Sequence, residues 1–240
     1  MHHQDHRPRV AAQRRERMRR RLFESALHLV AGKGPAATSI DDIIQAAEVS
    51  RGTFYKYFDA PQALFDTLAL EVVNEIIRMA EPAVVQFDDP AQRVAAGMRL
   101  SIHLAMSNRP VAGFLVGLGW PEMGGGEVLL DFVQRDLRKG LRQQRFVDMP
   151  MRLALNVVAM TVLGSVHAML APRCPRDFAE QAVAGALRAL GLNAKEAARV
   201  ARLDLPAPEP LVDGLLGPGT AERAAKRAAL GSRRAAPTSA

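Results

Sequence analysis

Nearly every patterned stretch of this chain repeats its apolar residues at helical spacing, and no run alternates apolar and polar positions as a half-buried strand would. Met18, Leu22, Ala26, Leu29 and Val30 line one stripe of a helix over about 13–30, which GKGP at 32–35 ends. A second helix opens at Thr38 or Ser39, where Thr38-x-x-Asp41 and Ser39-x-x-Asp42 both read as capping arrangements, and runs through Ile43, Ile44 and Ala47. A third, short helix is capped by Ser50 and reaches about Phe58; Asp59 and Pro61 then start a fourth over about 60–80. Beyond Pro82 the periodicity predicts helices over 90–108, 110–119, 127–145, 151–171 and 176–190, with one more near 194–203 and a loop at 117–126 (GLGWPEMGGG). From 206 onward the chain turns rich in Ala, Pro and Gly, which predicts a largely disordered tail. The expected architecture is all-α, with a disordered basic arm over 1–12, a small three-helix unit with its connecting helix over 13–80, a larger helical unit over 81–205, and the tail over 206–240.

Composition narrows the context. About half of the 240 residues are apolar, enough for one or two ordinary domains. The lone Cys174 excludes an internal disulfide framework and a zinc cage and fits a reducing cytosol, and MHHQDHRPR lacks the apolar core of a secretory signal. Residues 153–172 carry no charge and could span a bilayer by length. Asn156, Thr161, Gly164, Ser165 and His167 interrupt that stretch, and Arg152 and Arg173 flank it, so a buried bundle helix rather than a membrane span is expected.

The net charge of +7 is unevenly distributed. Residues 1–21 hold eight arginines against Asp5 and Glu16, whereas 22–80 hold four basic and eight acidic side chains. A basic arm ahead of an acidic unit is expected either to reach a polyanion or to be a solvated leader.

The chemistry concentrates in TSIDDIIQAAEVSRGTFYKYF at 38–58. Two short helices joined by a tight turn describe a helix-turn-helix. On a wheel started at Arg51, Phe54 and Phe58 share one face, while Gly52, Thr53, Lys56 and Tyr57 share the opposite one. A helix this short needs tertiary anchoring, and the two Phe supply it. The other face offers a Gly permitting close approach, a hydroxyl, an ammonium and a phenol, groups suited to phosphates and base edges in a major groove. Ser50 can both cap and leave amides for a phosphate.

This segment, with VSRGTFYKYF at 49–58 between TSIDDII and QALF, resembles the DNA-binding domain of the TetR family of bacterial transcriptional regulators. The resemblance covers about 15–80; the remainder is similar only in being helical and of suitable length. It implies a cytoplasmic homodimer that binds an inverted-repeat operator in double-stranded DNA and releases it when a small-molecule effector enters the C-terminal unit. By position it implies DNA contacts from Thr38, Ser50, Arg51, Gly52, Thr53, Tyr55, Lys56 and Tyr57, and a dimer interface formed by helices 151–171 and 176–190. Two departures stand out: Glu48 occupies a turn position where Gly is common, and Pro61 stands where a phosphate-binding Lys is common.

The helix over 151–171 is apolar nearly all round and is expected to be buried on several sides, as a subunit interface would require. Candidate effector-lining residues are Met98, His103, Met106, Phe114, Trp120, Met123, Phe132, Asn156, Met160 and His167. Met and aromatic residues at this spacing are equally the material of plain core. No G-x-S-x-G, H-E-x-x-H or Walker pattern occurs, and Cys174 with His167 lacks an orienting third group, so no enzyme, cofactor or metal site is expected. The alternative within the same fold is a DNA-bound adaptor without an effector.

Overall fold

The computed structural model describes residues 6–118, 127–209, 211 and 214–216. Among them the chain is all-α, with α1 (His6–Lys33), α2 (Ile40–Ala46), α3 (Arg51–Phe54), α4 (Pro61–Val84), α5 (Pro90–Ser107), α6 (Arg109–Leu118), α7 (Glu127–Arg142), α8 (Met151–Met169), α9 (Phe178–Ala189) and α10 (Ala194–Ala201).

Local chemistry sets most of these boundaries. α1 stops where Gly34 takes a left-handed φ of 80° and its amide returns to the carbonyl of Val30 at 2.8 Å. α4 begins on Pro61, whose missing N–H costs nothing at a first helical position, and α5 repeats the device with Pro90 behind the Asp89 cap. α4 continues past its expected end, through Pro82 to Val84. The boundary expected near residue 80 therefore falls inside a helix.

Two apolar clusters organise the molecule. The first joins Leu22, Ala26 and Val30 of α1, Ile43 of α2, Phe54 of α3 and Leu64, Leu68 and Val72 of α4 to Leu100 of α5 and to Val111, Ala112 and Phe114 of α6. The small N-terminal unit thus shares its core with α5 and α6. The second cluster lies among α5, α7, α8, α9 and α10, with Met98, Ile102, Leu137, Leu187 and Leu190 fully enclosed. Ion pairs tie its periphery, including Arg145 between Asp89 and Glu196 (2.9 and 2.7 Å) and Arg99 to Glu180 (2.8 Å).

Two expected disordered stretches are structured where they are described. Residues 6–12 are the first turns of α1 rather than a loose arm. Beyond 205, Leu211, Leu215 and Leu216 rest on the first cluster. A helix already nucleated by the packed half of α1 extends through this run at little cost, and leucines spaced along the tail rest on the apolar cluster.

Candidate nucleic-acid interface and interior cavity

The start of α2 is a complete capping box. Ser39 Oγ accepts from the Asp42 amide at 3.2 Å, and the Ser39 amide donates to Asp42 Oδ2 at 2.8 Å. Hydrogen bonding from Lys33 (2.6 Å), then from the Ser39 hydroxyl and amide, holds the Asp42 carboxyl well below the ordinary aspartate range. The alternative cap does not form. Thr38 is buried, its hydroxyl donating to the Gly34 carbonyl at 2.7 Å, and Asp41 instead receives the Arg51 guanidinium at 2.6 Å. Of the residues implied to meet DNA, Thr38 is thus the one enclosed by its own loop.

The turn into α3 needs a left-handed residue, and Glu48 supplies it with φ 49°. Its carboxylate pairs with Arg21 of α1 at 2.7 Å, which holds the turn against the first helix. Ser50 caps α3 by accepting from the Thr53 amide at 3.1 Å, and its hydroxyl shares a 2.9 Å hydrogen bond with that of Thr53. Phe54 is completely buried, and its ring lies 6.0 Å from Phe58, which in turn meets Phe23 at 5.7 Å. These are the anchors expected of so short a helix.

The regular α-helix ends at Phe54, and the chain then tightens, with Lys56 N donating to the Thr53 carbonyl at 3.2 Å and Tyr57 N to the Phe54 carbonyl at 2.9 Å. Residues 55–57 form turns, so Tyr57 rotates inward to rest half-buried on the first cluster. Tyr55 comes outward, 46% exposed, with its ring edge-on to Phe54 at 5.5 Å. The solvent face presented to a ligand is then Ser50, Arg51, Gly52, Tyr55 and Lys56, with Thr53 half-buried among them. A side chain at Gly52 would meet nothing closer than Ser50 Oγ at 4.0 Å, so this position leaves the helix open to close approach.

The arginines of α1 from residue 14 onward divide into two sets. Arg19 pairs with Glu71 of α4 at 2.6 Å and covers the Phe23 ring at 5.0 Å, and Arg20 and Arg21 pair with Glu24 and Glu48. Arg14, Arg15 and Arg17 lie on a stretch of α1 whose described residues, 10 and 12–17, are all exposed. These arginines project from a helix that adjoins the helix-turn-helix.

A cavity of about 740 Å³ opens between α4, α5, α6, α7 and α8. Its walls are mostly aliphatic, from Val73, Ile77 and Ala80 of α4 to Leu155, Ala159 and Leu163 of α8. Polar groups gather at Glu81, Arg93, Ser101, Asp136, Arg152 and Asn156. Asp136 is buried and accepts from Arg93 at 3.2 Å and from Arg135 at 3.0 and 2.8 Å; Arg135 also reaches Glu81 at 2.7 Å. Hydrogen bonds to Asp136, then to Glu81, drive the Arg135 pKa further upward. Two guanidinium and two carboxylate groups thereby neutralise one another at this wall.

Met98, Phe132 and Asn156 line the cavity as expected of effector-contacting residues. The other candidates lie elsewhere. Phe114 is wholly buried in the first cluster, Met106 is half-buried against both clusters, His103 is exposed on α5, and Met160 and His167 are exposed on α8. Trp120 and Met123 lie outside the described residues. Apolar periodicity missed Glu81, Arg93 and Asp136, although charges set into otherwise apolar helix faces were the available signal.

α8 is long and apolar enough to cross a membrane, yet only 22% of its apolar window is buried. Within the single chain its outward face is open. Leu153 and Met160 are 51% and 48% exposed, and Gly164 of α8 and Gly185 of α9 have nothing within 4 Å of an added Cβ.

Two family models match this chain, the tetR-family bacterial regulatory proteins over residues 22–68 and the tetracyclin repressor-like C-terminal domain over 89–203. The chain belongs to the TetR family. The N-terminal match of the family spans the packed half of α1 through the first turns of α4, which includes the capping box, the Glu48 turn and the exposed face of α3. Among solved structures the TetR-family chain is similar to RolR in complex with resorcinol, at 28% identity and TM-score 0.64, covering 82% of this chain and all of the other. It shares the fold of a putative tetR-family regulator from Shewanella sp. PV-4, at 19% identity and TM-score 0.62, over 73% of this chain and 99% of that one. An uncharacterised HTH-type transcriptional regulator of Mycobacterium tuberculosis is 25% identical over 116 residues, 48% of this chain. The chain spans 57% of the length of that curated relative.

Proposed function

We propose that this TetR-family chain is a homodimeric transcriptional repressor that binds an inverted-repeat operator and leaves it when a small molecule fills the cavity. The observation that carries this reading is the double duty of α4. Its first half closes the core beneath the recognition helix through Leu64, Phe65 and Leu68, and its second half walls the cavity through Val73, Ile77 and Ala80. A molecule that binds one placement of α4 better than another must, by linkage, change the affinity of α3 for DNA.

The groove contacts fall to Arg51, Gly52, Thr53, Tyr55 and Lys56, with Ser50 at the helix start and Tyr57 bracing the face from behind. Arg51 reaches DNA by leaving Asp41, its partner in the free chain. Arg14, Arg15 and Arg17 supply backbone contacts that Pro61 does not. The partner subunit covers the outward face of α8 and α9 around Leu153, Met160, Gly164 and Gly185, since a contiguous apolar face of this kind favours association. A two-fold dimer then reads half-sites about one turn of DNA, roughly 34 Å, apart or a multiple of it.

The cavity suits a largely apolar molecule with one or two polar groups. Because Arg93, Asp136, Arg135 and Glu81 cancel one another, a neutral hydroxyl-bearing compound fits better than a free ion at that wall. The presence of resorcinol in RolR supports the same choice of first probe.

Genomic DNA selected by the purified full chain is expected to yield one inverted repeat, and light scattering to give twice the 26.1 kDa chain mass. Compounds that raise the melting temperature are then tested for operator release. A monomer, or random selected DNA, overturns the reading; operator binding that no stabilising compound weakens favours the adaptor instead.

A further inference from the structure

Glu75 presents an anomaly on α4. It is 7% exposed, on a helix whose neighbouring buried positions are Val72, Ile76 and Met79. A carboxylate in such a place is costly unless donors satisfy it. The donors come from far along the chain: the amide of Leu215 lies 2.6 Å from one carboxylate oxygen and that of Leu216 lies 2.7 Å from the other. Two short, charge-assisted bonds to one carboxylate form a specific clasp.

Further contacts extend it. Arg20 of α1 donates to the Gly214 carbonyl at 2.7 Å, and the Glu209 amide donates to the Met79 carbonyl at 3.0 Å. Leu215 is buried, and Leu205, Leu211 and Leu216 pack on the first cluster. Gly214 fits because it has no side chain, since a Cβ there would lie 1.9 Å from Glu75 Oε1. The segment thus touches α1, which belongs to the DNA-binding unit, and α4. It meets α4 through Glu75 and Met79, about half a turn around the helix from cavity-lining Val73, Ile77 and Ala80.

We infer that the surface between α1 and α4 is a docking site for the chain's own residues 205–209, 211 and 214–216. Clasped by Glu75, this strap fixes the placement of the DNA-binding unit on α4. The cavity pushes on one side of α4 and the strap holds the other. In the ligand-free chain the strap maintains the DNA-competent placement, so releasing it lowers the competent fraction and weakens DNA binding without removing any DNA contact.

The test uses the full chain with Glu75→Gln, which keeps size but exchanges one acceptor for a donor, and Gly214→Val, which drives a side chain into the carboxylate. Hydrogen exchange followed by mass spectrometry is expected to show protected amides at 215–216 in the parent and fast exchange in both variants. Affinity for the DNA selected by the parent is expected to fall about five- to tenfold in both, with helicity retained and the slope of log affinity against log salt unchanged. That slope separates positioning from a lost phosphate contact. Equally fast exchange at 215–216 in parent and Glu75→Gln overturns the docking. DNA affinity within about twofold of the parent in Glu75→Gln overturns the positioning role, even where Gly214→Val fails to fold. The affinity arm rests on the DNA-binding reading above. A parent that selects no DNA therefore defeats that reading and this positioning role together, whereas failure of the exchange arm alone defeats the strap and leaves that reading intact.

Discussion

The helix-turn-helix and the cavity unit solve opposite problems with the same element. α2 and α3 have seven and four residues, too few to be stable alone, and they exist because caps at Ser39 and Ser50 and one completely buried ring, Phe54, hold them to α1 and α4. Everything useful on them faces outward. The cavity unit has long helices that need no such anchoring, and five of them leave an interior gap unfilled. A binding surface on short helices demands a fully packed interior just behind it. A binding cavity demands the reverse: helices rigid enough to tolerate missing interior.

The sharpest test of that contrast removes one phenyl ring from each region. Phe54→Ala is expected to cost about 3–5 kcal/mol and to melt the N-terminal cluster, whereas Phe132→Ala, on a cavity wall that already lacks neighbours on one side, costs about 1 kcal/mol. Urea unfolding of the two variants measures both, and equal losses would break the comparison.

Filling the gap is the converse experiment. Ala159→Trp places bulk into the cavity from α8 and is expected to abolish stabilisation by a cavity ligand, about 2.7 kcal/mol at a hundredfold excess over Kd. DNA affinity is expected to fall as well, because bulk in the cavity presses on α4 as a bound molecule would. Thermal shift and operator titration on one sample read both quantities.

On the outward face, Lys56→Ala and Tyr55→Ala are expected to weaken operator binding by about 1–3 kcal/mol each while melting like the parent. Lys56→Ala also makes the salt dependence shallower, as does replacing Arg14, Arg15 and Arg17 by Gln, because each lost phosphate contact removes about 0.9 from the slope. Normal binding by Lys56→Ala and Tyr55→Ala would mean that the exposed face around α3 is only a solvated surface.

Smaller effects probe the caps. Ser39→Ala is expected to cost about 1 kcal/mol. The Asp42 half of that box gives a pH signature. Its folded pKa lies below the unfolded value of 3.8, so its stabilisation is complete above that pH and is lost only as the pH falls toward the depressed folded value. The stability difference between the parent and Asp42→Asn should therefore stay constant from pH 7 to about pH 5 and close only in strong acid. Smallest of all, Glu48→Gly relieves a left-handed non-Gly residue, loses the Arg21 pair, and is expected to raise stability by about 0.5 kcal/mol.

Much of the N-terminal unit was legible in the sequence, since its determinants act over three or four residues. Ser39 with Asp42, Ser50 before α3, Pro61 at the start of α4 and the strained turn at Glu48 are local arrangements, and each sits where local chemistry put it. The groove face was legible only as far as α3 remains a helix. Where it tightens into turns after Phe54, the packing of Tyr57 on the core decides which aromatic turns out, and a wheel has no access to that. Thr38 likewise satisfied a capping pattern but spent its hydroxyl on Gly34.

What the sequence determined by itself was a set of amphipathic helices, their caps and the one short helix whose outer face lacks apolar residues. What only the tertiary structure decided was where helices leave space between them and where distant chain returns. A single-helix pattern marks a face as apolar without saying whether a neighbour fills it: Phe114 is solid core, and Met98 borders a cavity. Glu75 in α4 reads as a solvated charge until amides from residues 215 and 216 arrive to satisfy it. Cavities and clasps depend on crossing geometry and on contacts between residues more than a hundred positions apart, and neither quantity is carried by the local period of a helix.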